Sequence, residues 1–121
     1  MRKLRINKSV YELCEDNIHR RISKQRQEYT KNFGIQWNTF SDTQLDSKTS
    51  LGLSYERLKQ DIGHDPCEFF KDKAVLEVGC GAGRFTEIIS KYAKLIVSID
   101  SSDAVKSCRK IASKDNTIII Q

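Results

Sequence analysis

Apolar positions follow one rhythm in the first half of the chain and another from residue 73 onward. Val10, Cys14, Ile18 and Ile22 recur every four residues, with Leu13 beside them. That spacing gathers one stripe on a helix face. No glycine or proline interrupts it, so the pattern predicts a helix from about Ser9, a capping residue, to about Tyr29. Asn32-Phe33-Gly34 would end it, Gly34 being suited to the left-handed residue just past a helix. Residues 1–8 are polar and basic and read as an arm. Residues 35–52 show no period and hold the only tryptophan, Trp37, with Phe40 three residues on. These two rings are either packing anchors or part of a lid. Ser54 is placed to cap a helix over Tyr55–Ile62, stopped by Gly63. Asp65-Pro66-Cys67-Glu68 has the form of a capping box with proline at the first helical position, opening a short helix with Phe69 and Phe70.

Beyond residue 73 short apolar runs alternate with helical stretches: strand 73–78, helix 84–92, strand 95–99, helix 103–112 and strand 117–120. Ser102 or Asp103 can cap the second helix, whose apolar face is Ala104, Val105, Cys108, Ile111 and Ala112. Thr117-Ile118-Ile119-Ile120 is continuously apolar, as a parallel strand covered on both faces requires. The alternation predicts an α/β layer with a parallel sheet. Two regions follow: a helical and irregular extension over 1–72 and the α/β unit over 73–121.

The junction of the first strand and helix carries the chemistry. Residues 75–84 read Val-Leu-Glu-Val-Gly-Cys-Gly-Ala-Gly-Arg. Glycines in a strand-to-helix turn permit positive φ, let a ligand approach the backbone, and bring helix and strand together. Gly79, Gly81 and Gly83 give G-x-G-x-G, whereas the dinucleotide fingerprint needs glycine where Arg84 stands. Glu77 precedes the first glycine by two residues. Leu95-Ile96-Val97-Ser98-Ile99 then runs into Asp100, twenty-one residues after Gly79. A carboxylate at that strand tip can accept both ribose hydroxyls of an adenosine, in nicotinamide enzymes as in others.

The string Val75–Thr86 with Ile96–Ser102 resembles the class I S-adenosylmethionine-dependent methyltransferases over roughly a quarter of the 121 residues. Phe33-Gly34-Ile35-Gln36-Trp37-Asn38-Thr39-Phe40, followed by Gln44-Leu45-Asp46-Ser47, resembles more weakly a Phe-Gly-x-x-Trp segment that some type 11 small-molecule methyltransferases carry before the cofactor domain. The resemblance implies a Rossmann-like methyltransferase fold. The three strands would be the first of seven, in spatial order 3-2-1 with the third at the edge, and the chain would be the cofactor-binding half of a truncated enzyme. S-adenosylmethionine would then lie on Glu77, Gly79, Cys80, Gly81, Gly83, Asp100 and Ser101. Glu77 would orient the turn and attract the methionine ammonium, or else bond only to its neighbours. Asp100 would hold the ribose. Arg84 reads as exposed or ion-paired and receives no role. The methyl acceptor would be a small molecule, no catalytic residue can be named, and the 121 residues alone would not turn over. A nicotinamide-binding domain, or a non-catalytic remnant that binds a partner, are the other readings.

Composition narrows the remaining choices. Charged residues make up 31% and the net charge is +5, with no apolar run of membrane-spanning length, so a cytoplasmic address is expected. His19-Arg20-Arg21, Lys24, Arg26 and Lys31 concentrate positive charge, read as a solvated helix face because no aromatics interleave it. Nucleic acid and membrane partners are therefore not expected. Cys14, Cys67, Cys80 and Cys108 include no C-x-x-C pair, which points away from zinc and from a disulfide framework. Cys80 reads as a small turn residue rather than a nucleophile. An apolar first strand left at a sheet edge would favour self-association.

Overall fold

The computed structural model describes residues 2–6, 8–21, 35, 36, 39, 41–112 and 115–121. Among these residues six strands form one sheet: β1 (Lys3–Ile6), β2 (Ser9–Leu13), β3 (His19–Arg21), β4 (Ala74–Val78), β5 (Leu95–Ile99) and β6 (Thr117–Ile120). The helices are α1 (Asp46–Thr49), α2 (Leu53–Ile62), α3 (Pro66–Phe70), α4 (Thr86–Ile89) and α5 (Val105–Ile111), with a 3-10 turn at Ser41–Gln44 before them.

The helix expected over 9–29 is not formed where the chain is described. Residues 9–13 and 19–21 are strands instead, while 22–29, Gly34, Trp37 and Phe40 lie outside the described residues. The reason is an ambiguity of spacing. A four-residue repeat also keeps side chains on one face of a strand, whose period is two. The polar stretch Cys14–Asn17 decides between the two. Cys14 and Ile18 close a turn by N–H to C=O at 3.0 Å, and Asn17 takes φ of 60°, a conformation asparagine tolerates. The basic run changes meaning with it. His19 is buried in β3, with neither ring nitrogen paired to a described residue, and Arg20 grips Asp16 through two bonds of 2.7 Å.

The sheet order is β1-β2-β3-β6-β5-β4. β4, β5 and β6 pair in parallel, with Glu77 opposite Ser98 and Ser98 opposite Ile119. The three-strand 3-2-1 sheet expected from the sequence is corrected in two respects. β6 is not an edge, since β3 pairs with it in parallel at His19 and Ile120. Antiparallel β1, β2 and β3 extend the sheet where a helical extension was expected. The hairpin is fastened at that seam: the Gln121 N–H donates to the His19 carbonyl at 2.8 Å, and Arg20 Nε donates to Gln121 Oε1 at 2.6 Å.

Two apolar clusters cover one face of the sheet. Ile18 packs with Cys80, Val105, Cys108, Ala112 and Ile119. Leu58 and Phe70 pack with Ile88, Ile89, Ala93 and Ile96. Each cluster joins side chains from before and after residue 73. Among the described residues β4 ends the sheet, and along it Leu76 and Val78 stay 64% and 76% exposed.

Helix ends partly follow expectation. Asp65 accepts from the Cys67 N–H at 3.0 Å, with Pro66 leading α3. Ser102 Oγ accepts from the Ala104 N–H at 3.3 Å ahead of α5. Ser54, in contrast, is not the cap of α2. That helix starts two residues earlier, after Gly52 at φ 64°, and Asp46 of α1 caps it by accepting from the Ser54 and Tyr55 N–H groups at 2.9 and 2.8 Å. No helix of the described residues is long and apolar enough to cross a membrane.

Candidate functional site

After Val78 the chain turns under β5 and is bonded to it. The Gly79 and Cys80 N–H groups both donate to the Ile99 carbonyl, at 2.7 and 3.2 Å. The Gly81 N–H donates to Asp100 Oδ2 at 2.9 Å. Gly79, Gly81 and Gly83 have φ of 79°, 52° and 96°, so each occupies backbone space that side chains disfavour. They divide into two jobs. A Cβ on Gly79 or Gly81 would meet nothing within 4 Å, so these two face open space. A Cβ on Gly83 would lie 2.8 Å from Ile111 Cδ1 and 3.1 Å from Cys108 Cα, so Gly83 lets α5 close against the turn.

Two carboxylates stand beside the turn. Asp100 Oδ1 accepts from both the N–H and the hydroxyl of Ser102 at 2.7 Å, while Oδ2 holds Gly81. Asp100 therefore joins the β5 tip, the glycine turn and the approach to α5. Glu77 Oε2 accepts from Thr86 Oγ1 at 2.6 Å and from Ser98 Oγ at 2.8 Å. Burial raises its pKa above the usual 4.5; the two hydroxyls pull against that shift, and the nearby Asp100 charge adds to it. Cys80 is buried, and the adjacent Cys108 thiol together with that burial pushes its thiol far up. A thiol held neutral is a poor nucleophile, in keeping with a small turn residue.

An open cleft of about 260 Å³ lies over the turn. Of the expected residues, Glu77, Gly79, Cys80, Gly81 and Asp100 line it. Gly83 is not among the lining residues and is turned to α5; Ser101 is exposed and is not among them either. Gln44, Arg84 and Phe85 also line the cleft and had received no role from the sequence. Arg84 sits directly after the third glycine, so its place on the turn was readable, but its partner was not. Its Nε donates to Ser54 Oγ at 3.0 Å, and that hydroxyl donates onward to the Gln44 carbonyl at 2.7 Å. Nothing local to Gln44 announces a place in a cleft formed more than thirty residues later in the chain. Trp37 and Phe40, read as packing anchors or part of a lid, lie outside the described residues.

The arrangement suits a polar ligand lying along bare backbone: hydroxyls at Asp100, a cationic group near Glu77, and an anionic group near Arg84. Among the described residues no three His, Cys, Asp or Glu side chains are grouped to hold a metal ion.

No protein-family model matches the chain, and no curated protein matches it. Eight solved chains do match. One is the Haemonchus contortus phosphoethanolamine N-methyltransferase 1 in complex with phosphoethanolamine and S-adenosylhomocysteine. It is 20% identical over 81% of this chain, with a TM-score of 0.46. The chain spans 22% of that protein's length.

Proposed function

We propose that the cleft binds S-adenosylmethionine and that the chain is the cofactor-binding part of a methyltransferase acting on a small molecule. One observation carries this reading. The carboxylate at the tip of β5 lines a cleft floored by Gly79 and Gly81, whose missing Cβ atoms leave open space.

The residues present fit an adenosine-bearing sulfonium. A carboxylate has about four acceptor sites, and Asp100 uses three of them. A ribose diol brings two donors, so it would take the open site and displace the Ser102 hydroxyl, leaving the bond to Gly81 in place. Gly79 and Gly81 would let the ligand's chain lie against the backbone. Glu77, whose Oε2 is held by Thr86 and Ser98, would set a negative charge under the turn near the methionine ammonium. The cofactor supplies an activated methyl group, and the protein's share is positioning and a suitable electrostatic environment. Glu77 and the G-x-G-x-G spacing favour this ligand over a nicotinamide dinucleotide, which would use Asp100 in the same way.

Calorimetry with S-adenosylhomocysteine and NAD side by side tests the reading. Binding of the first and not the second is expected, with Asp100→Ala losing about 1–3 kcal/mol of affinity. Binding of NAD alone would make this a dinucleotide domain. Binding of neither would leave a module without a nucleotide.

A further inference from the structure

We infer that Arg84 is the carboxylate anchor of the cleft, fixing the amino-acid end of the ligand while Asp100 fixes the ribose. The inference rests on the cofactor reading above and adds a residue and a ligand group to it.

The argument starts from what holds Arg84. Its side chain is half-buried, with Nε spent on Ser54 Oγ at 3.0 Å and the guanidinium carbon 5.2 Å from the centre of the Phe85 ring. Ser54 is itself 2% exposed and bonded to the Gln44 carbonyl, so the Nε edge is clamped to the start of α2. Among the described residues no carboxylate pairs with this guanidinium. Its two terminal nitrogens carry four N–H donors in a plane. That fork matches a carboxylate better than a hydroxyl or a single carbonyl.

Position and charge point the same way. Arg84 is the one cation among the described residues lining the cleft, beside two carboxylates, Glu77 and Asp100. Asp100 is anchored at the tip of β5 and Arg84 at the head of α2, two different walls of the glycine turn. A ligand that carried only a diol and a cation would leave the guanidinium unmatched. A ligand carrying an α-amino acid gives the ammonium to Glu77 and the carboxylate to Arg84.

The test uses the whole chain and three nucleosides: S-adenosylhomocysteine, its decarboxylated analogue, and 5′-methylthioadenosine, which lacks the amino-acid end. Arg84→Met should weaken S-adenosylhomocysteine about 10- to 100-fold, as expected for a charge-assisted pair. The same variant should bind the decarboxylated analogue and 5′-methylthioadenosine within about twofold of the wild type, since neither offers Arg84 a carboxylate. Arg84→Lys should keep part of the affinity, because it keeps the charge and loses the fork. The ligand side needs no variant: in the wild type, removing the carboxylate should cost about the same factor as Arg84→Met. Equal losses for all three nucleosides in Arg84→Met, or no cost of decarboxylation in the wild type, would overturn the inference and leave the cofactor reading standing. A wild type that binds none of the three would overturn both.

Discussion

Glu77 shows how much of a site is decided by a single residue's surroundings. Burial raises its pKa and the Thr86 and Ser98 hydroxyls only partly compensate. A carboxyl that binds its proton more tightly when folded contributes fully below its ordinary pKa of 4.5, and that contribution is lost as pH rises through the raised value. Glu77's contribution to the stability of the free protein should therefore fall as pH rises above about 4.5, and Glu77→Gln should abolish that part of the slope. Urea midpoints of both proteins at several pH values would read it, and parallel slopes would show that Glu77 does not titrate in this range. The residue types at this site were legible in the sequence because positive φ is written in glycine and a strand-tip acid in Asp100. The division of labour was not. Gly83 and Gly81 look alike in the chain, yet one faces Cys108 and the other faces open space.

Among elements, those whose pattern had one solution formed close to where the sequence placed them. β5 and β6 occupy 95–99 and 117–120, since short β-branched runs bounded by polar residues leave little choice. The helices shortened. α4 is four residues where nine were expected, as the turns on either side of it consume the rest. The start of α2 is set from outside the helix, by Asp46 reaching two of its N–H groups. Asp46→Ala should lower stability by about 1 kcal/mol, the usual worth of an N-terminal cap, while Asp46→Asn should retain part of it. An Asp46→Ala protein with an unchanged urea midpoint would mean that water serves those groups equally well. The cap also positions Ser54, so the same substitution reaches the cleft through Arg84.

At the scale of the whole molecule, the sheet formed by the described residues has two unlike ends. At one, antiparallel β1 is a four-residue strand that carries two charges, Lys3 and Arg5, and charged side chains on an edge strand oppose pairing. At the other, β4 shows an outer edge with no strand among the described residues, and Leu76 and Val78 project from it largely exposed. Such an edge is a template for another strand. A second copy of the chain is expected to pair there, and Leu76→Lys with Val78→Lys should bring the scattering mass down toward the 13.9 kDa of one chain. Equal masses for the variant and the parent protein would place any association elsewhere, or show that there is none.

The sequence by itself determined the parts whose causes lie within a few residues: the glycine turn, the acid at the β5 tip, and the alternation of strands and helices after residue 73. Tertiary structure decided what depends on distant partners. Residues 9–13 and 19–21 became strands because a repeat of four fits both periods, and β6 offered an edge with which the backbone of β3 could pair, across 101 residues in the case of Arg20 and Gln121. It also brought Gln44 and Ser54 to Arg84, turning a residue with no evident task into the cation of the cleft. Local chemistry fixes which conformations a segment can take; contact with the rest of the chain selects among them.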